Sequence, residues 1–213
     1  MPPVVDVMSL VADFASSLPR DPAPDLPWRQ NLAFYLERLS FYNRSFNLVG
    51  KQGPAEILND LARDSFHLAA LLEELPTGDA PLSLDCGAGA GLPGIPLRMI
   101  WQKGEYVLAE TRGKRALFMQ NILASLKLPK TRVFHGDAAK FTERPDILIS
   151  RAWLPPQAAL DFAKSALGEN SFAIIFAGDA PPPVHPAFVP ALSREYDSPG
   201  GKRILWAMRH AGL

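Results

Sequence analysis

Residues 82–96 read LSLDCGAGAGLPGIP. A short apolar run ends in Asp85, and Gly87, Gly89 and Gly91 follow at alternate positions. Glycine has no Cβ and populates positive φ at little cost, so such a run lets the backbone turn sharply and approach a ligand closely. Pro93 and Pro96 stand where the first turn of a helix tolerates missing N–H donors. The segment therefore predicts a strand, a ligand-cradling loop and a helix start, in the order that doubly wound α/β folds use at the carboxyl end of a strand.

Working outward, short apolar runs alternate with helical stretches from Leu82 onward. They are LSLD, a helix over 95–101, YVLAE (106–110), a helix over 114–126, RVFH (132–135) and DILIS (146–150). A helix over 157–166, the apolar strand SFAIIFAG (171–178) and the Pro-rich turn APPPVHP (180–186) come next. Two last strands near 193–196 and 203–208, joined by DSPGG, read as a hairpin. This beat predicts an α/β protein with a mostly parallel seven-stranded sheet, an antiparallel edge hairpin and helices on both faces. Before residue 82 the apolar spacing is helical, over 4–18, 28–42 and 57–75, with Pro54 as a helix start and RDPAPDLP (20–27) as a break. The expected organisation is an N-terminal helical cap over 1–78 and an α/β domain over 79–213, packed as one unit.

The 213 residues are 47% hydrophobic and 21% charged, as in ordinary globular proteins. No run of 18 apolar residues occurs, and MPPVVDVMSL carries an acid where a signal peptide carries bases, so a cytoplasmic protein without membrane association is expected. The single cysteine, Cys86, and four scattered histidines predict neither an internal disulfide nor a metal site. A net charge of zero hides an asymmetry: residues 1–80 hold 6 Lys+Arg against 11 Asp+Glu, and residues 81–213 hold 16 against 11. Between Thr111 and Gly136 there is no acid, while Arg112, Lys114, Arg115, Lys127, Lys130 and Arg132 are basic. Such a segment is either a surface for an anionic partner or the solvated face of a helix and its loop.

Three acids sharpen the ligand. The stretch Gly89 to Gly94 fits the dinucleotide spelling G-x-G-x-x-G, but it begins two residues late, and Asp85 before the loop would repel a pyrophosphate and attract a cation. S-adenosylmethionine carries an ammonium and a sulfonium and no phosphate. Glu110, 19 residues after Gly91, closes the second strand, where a carboxylate binds ribose hydroxyls. Asp137 closes the third, within reach of an adenine amino group. Each acid alone also reads as a helix cap or a surface acid.

DCGAGAGLPGIPL (85–97), ETRGKRALFMQNI (110–122) and ISRAW (149–153), with FYNRSFNLVG (41–50) and ARDSF (62–66) upstream, resemble the bacterial small-subunit rRNA guanine-N7 methyltransferases of the GidB, or RsmG, family. The resemblance implies a class I, Rossmann-like methyltransferase fold with a helical N-terminal extension. It further implies S-adenosylmethionine as donor, and N7 of a guanine in a conserved 16S rRNA loop as acceptor. Position by position it implies cofactor contacts at Gly87, Leu92, Arg151 and the backbone of Ala138 and Ala139, and places Lys114 and Arg115 against RNA phosphate or the cofactor carboxylate. Asp137, Ala138 and Ala139 stand where the family usually has Arg-x-Glu.

Guanine N7 is a lone pair with no proton to lose, so its methylation needs positioning more than a general base. Arg151 and Asn47 are the positioning candidates, and no acid–base pair is expected. Trp153 either stacks on a base or packs beneath the following helix. Cys86, one residue past a strand end, reads as core rather than as a nucleophile. The expected partner is 16S rRNA or the small ribosomal subunit, met by a monomer. Two alternatives stay open at this point: a nicotinamide-dependent oxidoreductase, and a diverged, non-catalytic S-adenosylmethionine-binding protein.

Overall fold

In the computed structural model, which describes residues 6–51, 53–180 and 184–212, the apolar runs after residue 81 become seven strands of one sheet. The strands are β1 (Leu82–Cys86), β2 (Glu105–Glu110), β3 (Thr131–His135), β4 (Ile147–Ser150), β5 (Phe172–Phe176), β6 (Phe188–Ser198) and β7 (Gly201–His210), in the order β3-β2-β1-β4-β5-β7-β6. The first five are parallel, and β7 runs antiparallel between β5 and β6. The predicted edge hairpin is therefore present, and longer than its sequence pattern suggests. Pro190 lies in the edge strand where the ladder shifts register before Leu192, a place a sheet tolerates a residue without an N–H.

The helices are α1 (Val7–Ser17), α2 (Trp28–Phe46), α3 (Pro54–Ile57), α4 (Arg63–Glu74), α5 (Gly94–Ile100), α6 (Gly113–Leu126) and α7 (Pro156–Ala166). The expected start of the first helix at residue 4 and the prolines at 181–183 lie outside the described residues. Successive strand residues point to opposite faces, and both faces of a parallel sheet are buried. One face, with Tyr106, Leu108, Ile147, Ile149, Phe172 and Ile174, shares a single core with Val11, Trp28, Leu32, Leu36 and Leu39 of the helical extension. On the other, Leu84, Cys86, Val107, Leu148 and Ile175 pack on Ala159, Leu160 and Ala163 of α7. The layers are unequal: between β3 and β4 the second face receives a single 3-10 turn, Ala138–Lys140.

Two features depart from the sequence pattern. The helix expected over 57–75 is broken by a π-helical turn, Leu58–Ala62, between α3 and α4. Arg98, a charge in the middle of α5, is completely buried. Its guanidinium donates to the carbonyls of Trp101, Gln102, Lys103, Gly104 and Pro129 and to the Thr131 hydroxyl, knitting the turn after α5 to the start of β3. Burial pushes its pKa down to about 10, which leaves it charged at neutral pH.

Candidate active site

The strand order reverses beside β1, since β2 follows on one side and β4 lies on the other. The glycine loop leaves β1 at this switch point, where open α/β sheets place ligands. Gly87, Gly89 and Gly91 all take positive φ. At Gly87 the reason is also steric: a Cβ there would lie 2.4 Å from Cδ1 of Trp153, so the indole rests directly on the loop. Trp153 meets Phe162 of α7 edge-on as well, with ring centroids 5.0 Å apart, so the packing role expected of it is present. Gly94 lets α5 begin against the sheet, because a Cβ would stand 2.5 Å from Leu108 and 2.8 Å from Oδ2 of Asp85.

A cleft of about 190 Å³ opens beside the loop, walled by Gly87, Glu110, Arg112, Arg115, Asp137 and Trp153, among others. Glu110 is nearly buried. One of its oxygens accepts from the Gly89 N–H at 2.9 Å and the other from the Arg112 N–H at 2.8 Å, so the carboxylate clasps the loop to the end of β2. A carboxylate has about four acceptor positions, which leaves room for hydroxyl donors from the cleft. Asp137 caps the 3-10 turn through the Ala139 N–H at 3.0 Å, and Ala138 lines the cleft beside it. Ala109, Thr111, Gly136 and Ala152 complete the wall and are not singled out individually in the sequence; Ala152 sits at φ 52, unusual for a residue with a Cβ.

Other expected ligand residues lie elsewhere. Asp85 is beneath the loop, 1% exposed, and accepts from the Tyr106 hydroxyl at 3.1 Å. Burial pushes its carboxyl up to about 7, against the opposing pull of the Tyr106 hydrogen bond and the Arg151 charge. Cys86 is buried, and its thiol is pushed well up by that burial, so it is a core residue and not a nucleophile. Leu92 is buried, and Ala139 faces a neighbouring hollow around Phe141 and Phe162.

Arg151 is not among the residues that line the cleft, and its Nε donates to Asp64 at 2.8 Å. The buried Asp64 also accepts from Tyr196 and Arg203, each at 2.7 Å. Arg203 further donates to the Asp60 carbonyl inside the π-helical turn. One carboxylate thus joins the start of α4, the end of β4 and the β6–β7 hairpin. Asn47, the other positioning candidate, is exposed and ends α2 in the left-handed conformation at φ 48. The neighbouring Asn43 organises that turn: its side chain donates to the Lys51 carbonyl at 2.6 Å and accepts from the Val49 N–H at 2.8 Å.

The six basic residues do not form one patch. Arg112 and Arg115 wall the cleft, and Lys114 stands over the Phe46 ring at 5.3 Å. Lys127 and Lys130 flank the far end of α6, roughly 20 Å away at 1.5 Å per residue. Arg132, on β3, is paired with Glu143.

Comparison with known proteins agrees with this arrangement. A family model described as rRNA small subunit methyltransferase G matches residues 29–181. The chain is 42% identical over 197 residues to the ribosomal RNA small subunit methyltransferase G of Nitratidesulfovibrio vulgaris (strain DP4), covering 89% of this chain and 88% of that one. It is 35% identical over 187 residues to the protein of the same name from Lawsonia intracellularis (strain PHE/MN1-00), covering 85% and 87%. A solved Klebsiella pneumoniae structure, described as a candidate O-methyltransferase, superposes with a TM-score of 0.63 over 95% of this chain and 96% of its own. At 14% identity that likeness speaks to the class I methyltransferase fold alone.

Proposed function

The chain belongs to the rRNA small subunit methyltransferase G family, and from that premise we propose that it transfers a methyl group from S-adenosylmethionine to N7 of a guanine in 16S rRNA. The observation that carries the reading is Glu110, a nearly buried carboxylate held by two backbone N–H groups at the switch point, beside the glycine loop. Its remaining acceptor positions suit a ribose diol. Asp137 and the backbone at Ala138 lie along the same wall, on the side left for an adenine.

When bound, S-adenosylmethionine supplies an electrophilic methyl carbon on its sulfonium. At about 190 Å³ the cleft falls short of the roughly 300 Å³ at which ligand sites begin, and the indole resting on Gly87 narrows it. Asp85 serves from below, by seating α5 and the loop through Tyr106, rather than by touching the ligand. The acceptor N7 needs no proton removed, and the walls of the cleft contain neither histidine nor cysteine. Rate enhancement then comes from alignment. Asp64 fixes Arg151 at the end of β4, and Ala152 and Trp153 follow it onto the cleft wall.

Among the described residues no helix is long and apolar enough to cross a membrane. We place the reaction in the cytoplasm, on the small ribosomal subunit or its RNA, carried out by a monomer. The test incubates the purified protein and S-adenosylmethionine with unmethylated 16S rRNA and with small subunits, then maps N7-methylguanine by chemical cleavage. The expected result is a single N7-methylguanine in one of the two substrates. No methylation in either, or methylation at another atom, overturns the proposal.

A further inference from the structure

Away from the cofactor cleft, a groove of about 610 Å³ runs between α2 and α6. Its lining includes Arg38, Tyr42, Phe46, Lys114, Leu117 and Phe118, and contains no acid. Aromatic and apolar side chains are uncommonly open here: Phe46 is 46% exposed, Leu117 58%, and Phe41 on the rim 64%. Tyr42 and Phe46, one helical turn apart, lie stacked with centroids 6.2 Å apart and planes inclined by 16°. The cations sit on the rings, with Lys114 over Phe46 at 5.3 Å and Arg38 over Phe34 at 5.3 Å.

The groove adjoins the site across one helical turn. Lys114 borders it and the adjacent Arg115 borders the cleft, so the first turn of α6 separates the two. Its floor residue Phe118 meets Tyr35, whose hydroxyl donates to the Ala90 carbonyl in the glycine loop at 2.9 Å. From Phe46 to Phe34 the groove follows α2 for about 18 Å away from the cleft. Open rings interleaved with cations, without acids, match the requirements of unpaired nucleotides: π-faces for bases and positive charge for phosphates. An apolar protein helix would have no use for cations placed over the rings.

We propose that the α2–α6 groove holds the unpaired RNA strand flanking the target guanine, with bases stacked on Tyr42 and Phe46 and phosphates at Lys114 and Arg38. The proposal rests on the functional reading above and extends it to how the substrate is held. The test measures steady-state methylation of 16S rRNA, or of whichever particle the wild type methylates, alongside calorimetric binding of S-adenosylhomocysteine. Tyr42→Ala with Phe46→Ala should raise the KM for RNA about 10-fold or more, leave kcat and cofactor affinity near wild type, and be rescued by Tyr42→Phe with Phe46→Tyr. Because Leu117 is exposed, Leu117→Glu and Leu117→Lys both fold, and they should move the KM in opposite directions, up for Glu and down for Lys. Unchanged KM in the double alanine variant, or equal effects of Glu and Lys, overturns the groove as an RNA site while wild-type methylation keeps the functional reading intact. A wild-type dimer in sedimentation that Phe46→Ala dissociates would assign the groove to a second copy instead. Absence of wild-type methylation defeats the functional reading and the groove proposal with it.

Discussion

Asp85 and Glu110 stand at the ends of neighbouring strands, two residues apart in the ladder's register, and both are almost inaccessible to water. Their surroundings differ in kind. Asp85 lies under the loop among Tyr106, Leu108 and the start of α5, with a hydroxyl as its side-chain partner, and burial raises its pKa to about 7. Glu110 lies on the cleft wall and takes a backbone N–H on each oxygen. Position at a strand end does not by itself make a carboxylate a ligand. What distinguishes the two is whether acceptor positions still face open space: Glu110 lines the cleft and Asp85 does not.

Asp64 extends the comparison to a buried acid whose charge is fully matched, with Arg151, Arg203 and Tyr196 all donating to it. Asp64→Ala leaves two partly buried cations without their partner and should lower unfolding free energy by about 4 kcal/mol, measured by urea denaturation. A loss below about 1 kcal/mol would mean that the arginines find water instead. Asp85 gives an effect of similar size that depends on pH. Since folding raises its pKa from 3.8 to about 7, the folded chain holds this proton more tightly. That contribution is complete below about pH 4 and is lost as pH rises through 7. Between pH 4 and 8 the wild type should therefore lose roughly 4 kcal/mol relative to Asp85→Asn, at about 1.4 kcal/mol per pKa unit. Parallel stability profiles for the two proteins would show that Asp85 keeps an ordinary pKa despite its burial.

Much of this was legible in the sequence because it is local. The spacing of LSLD, YVLAE, RVFH, DILIS and SFAIIF placed five parallel strands to within about two residues, and the glycines with Glu110 marked the cleft. The edge strand β6 was read short, since Pro190 and solvent-facing polar residues hide an exposed strand. The π-helical turn at Leu58–Ala62 leaves no trace in apolar periodicity. Long-range pairings were the least accessible. Arg151 was expected at the cofactor, but its nearest partner Asp64 is 87 positions away and on another element. Arg98 carried no reading in the sequence, because the six acceptors around it come together only in the fold. The basic run from Arg112 to Arg132 is continuous in sequence, yet α6 carries it from the carboxyl end of β2 to the start of β3, at opposite ends of the strands.

The most direct measurement is a calorimetric titration of S-adenosylhomocysteine into Glu110→Gln and Asp85→Asn side by side at neutral pH. If Glu110 is the ligand carboxylate and Asp85 a support beneath the loop, Glu110→Gln loses about 30-fold in affinity, the range of a hydrogen bond to a charged group, while Asp85→Asn stays within about 3-fold of wild type. A larger loss for Asp85→Asn than for Glu110→Gln contradicts that assignment, and normal binding by both removes the cleft as the cofactor site.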